Sequence, residues 1–268
     1  MANERSRSTA RRPDVADPAR RDALRDMARI SLAAVVAAAL PRVRAAHAAI
    51  PADLPIETWR GWAAAGRAAL LTGVDAWADG ATLSGGVVNG TSVFLPPGAL
   101  SGPAFANAID DAMMTAGAPA MAAAAFAGAS WSVWDTWAAS FHMTVGDAFP
   151  TFVAIPAPEV PETEMPKQPL ENGLAPGRVG LTMNVLPLAL AELLGEVANE
   201  SNVKTVIAEY SLAYVKDFRR WFRRAKIVNA LGKGSVPTFA PPYVPVGPVV
   251  NGTVTGAGVI RAPAFGAD

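Results

Sequence analysis

The sequence predicts a mainly α-helical protein with a small β element, an α+β fold. Long stretches repeat apolar side chains every three or four residues, which places them on one stripe of a helix. The letters Val-Val-Asn-Gly-Thr occur twice, at 87–91 and at 249–253, and Asn-Gly between β-prone residues is typical of a hairpin. Prolines are concentrated in two segments that can be neither helix nor central strand. We therefore expect a helical body, β-hairpin segments near residues 87–95 and 246–260, and two extended arms.

Composition sets limits on size and chemistry. The chain has 268 residues, of which 51% are hydrophobic, enough for one large or two small domains with a core. Basic and acidic residues number 23 each, so the overall charge does not favour nucleic acid or membrane binding. The sequence contains no cysteine, which excludes disulfides, thiolate metal sites and cysteine nucleophiles.

The segment 17–48 has two interpretations. Asp17 followed by Pro18 is typical of a helix start, and the helical pattern continues to Leu40. The pair Arg20-Arg21 ahead of an apolar run instead indicates a twin-arginine-type signal, with a small-x-small cleavage site at 46–48. Both interpretations stay open.

Residues 49–148 are predicted to form helices on either side of a hairpin. A helix is predicted from Pro55 to about Asp79, and a hairpin over Val87–Leu95. The residues from 112 to 134 carry no charge, a run long enough to span a bilayer. Most of them are alanine, Gly117 and Pro119 interrupt the run, and acidic residues flank it. We therefore expect a buried helix and no transmembrane span.

A long helix is predicted over 203–231, with an aromatic stripe that includes Tyr210, Tyr214, Phe218 and Trp221. Glycines and a proline after Leu231 are typical of a helix end.

Between the stripe positions lies a set of cations that we name the basic face. Its members are Lys216, Arg219, Arg220, Arg223, Arg224 and Lys226. Asp217 is the acid among them, and like charges at this spacing repel one another. The basic face is either a solvated or ion-paired surface, or a contact for an acidic partner such as a subunit, nucleic acid or lipid headgroup.

Two proline-rich arms follow the helical segments. The acidic arm, 149–178, holds seven prolines and four glutamates, and the second arm begins at residue 235. Extended chains of this kind lose little entropy when they bind across a neighbour. We therefore expect the arms and the basic face to form interfaces. The candidate interface residues are Arg219, Arg220, Arg223, Arg224, Lys226, Glu159, Glu162, Glu164, Pro156, Pro158, Pro241 and Pro242.

The repeated five letters are either chance or a sign that the two turns belong to strands of one sheet.

The predicted organisation is a disordered basic tail (1–16), the helix or signal (17–48), a helical half with a hairpin at 85–98 (49–148), the acidic arm (149–178), a second helical half (179–234), and an arm with a C-terminal hairpin (235–268).

Motifs of enzymes are incomplete in this sequence. His47 and His142 are the two histidines, and no Gly-x-Ser-x-Gly elbow accompanies them. Glu192 and Glu196 are four residues apart, but a carboxylate metal site of the helical-bundle type also needs a Glu-x-x-His motif. We therefore predict no catalytic residue, no cofactor and no metal.

The predicted function is that of a non-enzymatic structural subunit, whose arms clasp neighbours in a phage-like, injection-machine or envelope assembly. The expected partners are copies of the chain or other subunits, with nucleic acid less favoured. The expected location is the cytoplasm or a particle. The alternative is an exported periplasmic binding protein or enzyme with a site lined by tryptophan.

Overall fold

The computed structural model describes residues 50, 54–146, 159–165, 167–173, 178–235, 249–255 and 258–267. For residues 159–163, 178–184, 235 and 259 the description covers the backbone alone. The predicted tail and N-terminal helix or signal, 1–48, lie outside the described residues, as do Pro156, Pro158, Pro241 and Pro242.

The protein is mainly helical with small antiparallel sheets, which confirms the predicted fold class. The α-helices are α1 (Ile56–Gly80), α2 (Ala106–Thr115), α3 (Ala120–Ser140), α4 (Arg178–Leu194) and α5 (Ser201–Arg224). Two 3₁₀ helices span Leu170–Asn172 and Gly195–Asn199. Helix α1 packs on α2 and α5, α3 packs on α2 and α4, and α4 also packs on α5.

Helix α3 lies in the core, as its charge-free sequence predicts. The side chains from Ala122 to Ser130 are all buried, and most of them are small, so neighbouring helices can approach closely. In the part of the chain that the structure describes, no helix is long and apolar enough to cross a membrane.

The strands are β1 (Thr82–Leu83), β2 (Val87–Asn89), β3 (Ser92–Leu95), β4 (Leu100–Ser101), β5 (Met143–Val145), β6 (Glu159–Glu164), β7 (Gln168–Pro169), β8 (Lys226–Val228), β9 (Leu231–Ser235), β10 (Val250–Val254) and β11 (Val259–Arg261). One antiparallel sheet has the order β5-β3-β2-β10-β9-β6. Strands β1 and β4 pair with each other, and β11, β8 and β7 form a third sheet. The predicted hairpin at 87–95 is confirmed as β2 and β3.

The two copies of the repeated sequence pair with each other. Strands β2 and β10 are antiparallel neighbours, with Val88 opposite Gly252, and this register places Asn89 opposite Asn251. The backbone N–H of Asn251 donates to Oδ1 of Asn89 over 2.8 Å. Of the two interpretations that the sequence left open, the structure supports the one in which both copies belong to strands of one sheet.

The predicted hairpin at 246–260 is wrong in its pairing. Strand β10 pairs with β2 and β9, whereas β11 pairs with β8 in another sheet. The backbone of Asn251 has a φ of 52° and lies where the register between β10 and β9 shifts. The Asn-Gly pair therefore lies at an irregular position within strand β10 and does not form a hairpin turn. Pairing of β10 with β2 and β9, which are distant in the sequence, replaces the local turn.

The predicted end of the long helix at Leu231 is also wrong. Helix α5 ends at Arg224, and Ala225 is extended, with φ −68° and ψ 138°. Residues 226–228 form β8 between β7 and β11, and Ile227 and Val228 are buried there. Both residues are β-branched and favour a strand once partners are present.

Part of the acidic arm is a strand of its own chain. Strand β6 lies at the edge of the six-stranded sheet, and its register against β9 shifts between Val160 and Thr163. Pro161, which has no N–H to donate, occupies this irregular edge position. Farther along the arm, Met165 and Leu170 are buried. The predicted extended geometry holds for this part of the arm, but the segment also contributes to the chain's own core.

Candidate functional site on the long helix

Helix α5 positions the candidate site because one of its sides is fixed in the core. Tyr210, Tyr214, Phe218 and Trp221 are each at most 4% exposed. Tyr210 and Ser130 of α3 are hydrogen-bonded through their hydroxyls over 2.8 Å. Burial raises the pKa of Tyr210 to about 12. The opposite side of α5 is consequently held toward the surface in one orientation.

Asp217 does not neutralise the basic face. Asp217 is 4% exposed, and its carboxylate accepts a hydrogen bond from Nη2 of Arg67 on α1, so it belongs to the interior of the helix pair. In the sequence Asp217 stands among the cations of the basic face. Its spacing from Tyr210, Tyr214 and Trp221, however, is that of the buried stripe.

A second ion pair fastens α1 to α5 nearer the surface. The guanidinium of Arg60 donates to both carboxylate oxygens of Glu209, over 3.0 and 2.7 Å, and to Glu57 over 2.9 Å. These hydrogen bonds raise the pKa of Arg60 and lower the pKa of Glu209. All three side chains are substantially exposed, so the pair fixes the orientation of α5 more than it stabilises the fold.

Five of the six basic-face residues lie together on α5. Lys216, Arg219, Arg223 and Arg224 are exposed, and Arg220 is half-buried, with Nη1 donating to the carbonyl oxygen of Ala267 over 2.9 Å. With Leu212 and Val215, these five residues line a groove of about 560 Å³. Lys226 is exposed on β8, beyond the end of the helix, and does not line the groove.

Leu212 is the unexpected member of this surface. Its side chain is 67% exposed, the largest value among the exposed large hydrophobic residues described. It lies four residues before Lys216, so the leucine and the cations share one row of the helix. The sequence contained a signal for it, because a leucine at 212 falls outside the buried stripe.

The acidic candidates are placed differently. Glu164 is exposed at the end of β6 and pairs with Leu231 in the sheet. Glu159 and Glu162 belong to the same strand, and their side chains lie outside the described residues. The role of these glutamates as interface residues therefore stays a prediction.

Sequence reasoning missed a second groove, which we name the acidic groove. It measures about 680 Å³ and lies where α4 and the following 3₁₀ helix meet the first half of α5. Its lining includes Leu188, Glu192, Glu196, Lys204, Ile207 and Ala208. Leu188 is 54% exposed, and both glutamates are exposed.

The tryptophans proposed for a ligand site form a buried cluster. Trp77, Trp134, Trp137 and Trp221 are at most 2% exposed, and Trp134 has its ring centroid 5.1 Å from that of Trp77 and 5.2 Å from that of Trp221. The first of these contacts is edge-to-face and the second is tilted, and contacts of both kinds stabilise a core. Trp221 also borders a cleft of about 450 Å³, whose charged residues include Asp79 and Arg261.

His142, the described histidine, has a structural contact. Its ring Nδ1 lies 3.2 Å from the backbone oxygen of Ser140 in the same segment. Within the described ranges, no group of three or more histidine, aspartate or glutamate side chains could hold a metal ion.

Comparison of the chain with protein-family models, with curated proteins and with solved structures found no match.

Proposed function

We propose that the protein is a non-enzymatic structural subunit of a larger assembly, and that the exposed side of α5 is one of its contact surfaces. The observation that carries the proposal is Leu212, which is 67% exposed and begins a row of cations on the helix. Water solvates the cations of this row but not the leucine side chain. Burying such a side chain against a partner contributes about 1.5–3 kcal/mol.

The rigidity of α5 supports the same proposal. The helix is held by the buried stripe, by Asp217 with Arg67 and by Glu209 with Arg60, so its outer row is already ordered before any partner binds. Preorganised surfaces lose less entropy on association. The predicted arms would supply further contacts with neighbouring subunits.

The proposal is tested by the mass of the purified protein in solution. We expect light scattering to give a species well above the 27.7 kDa of one chain, and we expect Leu212→Gln to shift it toward 27.7 kDa. The matched control is Met114→Gln, which alters another exposed apolar residue, on α2 and 42% exposed, and should leave the mass unchanged. A wild-type protein of 27.7 kDa at every concentration would overturn the proposal.

The basic face allows a second test of the same proposal. Increasing the salt concentration, or replacing Arg219 and Arg223 by Gln, should weaken assembly, since exposed charge pairs are screened by salt. If the surface instead binds nucleic acid, the wild type will show a steeply salt-dependent affinity for DNA or RNA that the two substitutions reduce.

A further inference from the structure

We infer that the outer side of α5 pairs with the same side of a second copy, antiparallel and about a two-fold axis near Leu212. This inference rests on the proposed function and specifies one of its contacts. Its basis is that the two grooves are neighbours along one helix and carry opposite charge.

The two grooves share the axis of α5. Lys204 and Ala208 of the acidic groove precede Leu212 by eight and four residues, and Lys216 of the basic face follows it by four. Residues at this spacing form one continuous row on a helix. The exposed leucine therefore lies at the junction of an acidic half and a basic half.

Antiparallel pairing about Leu212 brings unlike halves together. In this register Ala208 of one copy lies opposite Lys216 of the other. Glu192 and Glu196 line the same groove as Ala208, so this half of the surface faces the start of the other basic face. Glu200, exposed just before α5, falls opposite Arg224. Lys204 adds one positive charge to the acidic half and leaves that half net negative.

The same geometry disfavours the parallel arrangement. Parallel pairing would place the basic faces of the two copies against each other, and contact between like charges disfavours association. A two-fold antiparallel interface also closes on itself and gives a dimer, whereas a head-to-tail contact grows into a ring or a filament.

The size of the surface is sufficient for a specific contact. The 24 residues of α5 span about 36 Å, and a strip about 10 Å wide along them covers about 360 Å². Two such strips bury about 720 Å², and the α4 and 3₁₀ residues beside the first half of each strip enlarge the contact toward the size of a biological interface, about 1,000 Å².

Single cysteines test the arrangement directly, because the natural chain has none. Leu212→Cys lies at the proposed axis and should form a covalent dimer under mild oxidation. Arg223→Cys should not cross-link to the same cysteine of the second copy. Each of the two cysteines lies eleven residues from the axis, so the two sulfurs are about 33 Å apart. Met114→Cys reports random collision. Equal cross-linking at 212 and 223 would indicate parallel pairing and overturn the inference.

A charge exchange tests the complementarity. The variant Glu192→Lys/Glu196→Lys has two basic halves, and Lys216→Glu/Arg219→Glu places acidic residues at the start of the basic half. Each alone should self-associate at least about tenfold more weakly than wild type. Their equimolar mixture should restore a dimer that contains one copy of each.

The outcomes separate this inference from the proposed function. In one outcome, the wild type assembles while the mixture of charge variants forms no dimer, or while Leu212→Cys forms no cross-link. Either result refutes the antiparallel contact and leaves the structural-subunit proposal standing. A wild-type chain that stays monomeric refutes both. Rescue that yields long polymers indicates the head-to-tail contact and also overturns the inference.

Discussion

Replacing Gly73 by alanine should destabilise the protein, although alanine is the better helix former. Gly73 is buried in the middle of α1, where a Cβ would lie 2.7 Å from Cβ and 3.1 Å from Cγ of Phe105. The Cβ of Phe105 is fixed by its own backbone, and its ring packs edge-on against Trp131 and Trp134, with centroids 5.0 and 5.9 Å away. Relief of the contact therefore requires a shift of the backbone or of this packing.

The magnitude follows from two opposing contributions. Overpacking a well-filled core costs about 1–3 kcal/mol. Exchanging glycine for alanine inside a helix contributes about 0.5–1 kcal/mol in the other direction. We therefore expect Gly73→Ala to lower the free energy of unfolding by about 1–2 kcal/mol.

Gly61 is the matched control on the same helix. It is exposed, and a Cβ there meets no atom within 4 Å. Gly61→Ala should raise the free energy of unfolding by about 0.5–1 kcal/mol. Urea titration followed by circular dichroism and tryptophan fluorescence measures both values. If the two variants shift the midpoint in the same direction, the proposed contact between α1 and Phe105 is refuted.

Two further predictions concern the contacts that hold α5 in its orientation against the core. The pKa of Tyr210 is about 12 in the folded protein against an ordinary value of 10.0, so the unfolded chain loses this proton first as pH rises. The contribution of Tyr210 to stability should fall by about 2 kcal/mol between pH 10 and 12, and Tyr214, whose pKa burial also raises, should act in the same direction. Tyr210→Phe should make the urea midpoint less sensitive to pH above 10, and an unchanged sensitivity would contradict the assignment. Arg67→Met should cost about 3 kcal/mol, because it leaves the buried carboxylate of Asp217 without its cation, and Arg67 is itself partly exposed. Adding Asp217→Asn to this variant should recover part of the lost stability. If Arg67→Met alone is as stable as the wild type, the ion pair does not hold α1 to α5.

Local patterns in the sequence determined the helices and the first hairpin. The spacing of Tyr210, Tyr214, Phe218 and Trp221 identifies the buried side of α5, and Asn89-Gly90 marks the turn between β2 and β3. Each helical hydrogen bond joins residues four apart, so neighbours in sequence carry the information. The repeated five letters left open whether β2 and β10 share a sheet, and the structure shows that these two strands pair.

Tertiary structure alone decided where α5 ends, which strand β10 joins and what Asp217 does. Residues 226–228 continue the helical pattern, but pairing with β7 and β11 makes them a strand. Asp217 pairs with Arg67, which is 150 residues away in the sequence, and Glu192 lines one groove with Ala208 only because α4 packs on α5. A strand or an ion pair depends on partners distant in the chain, and those partners are set by the packing of the whole core.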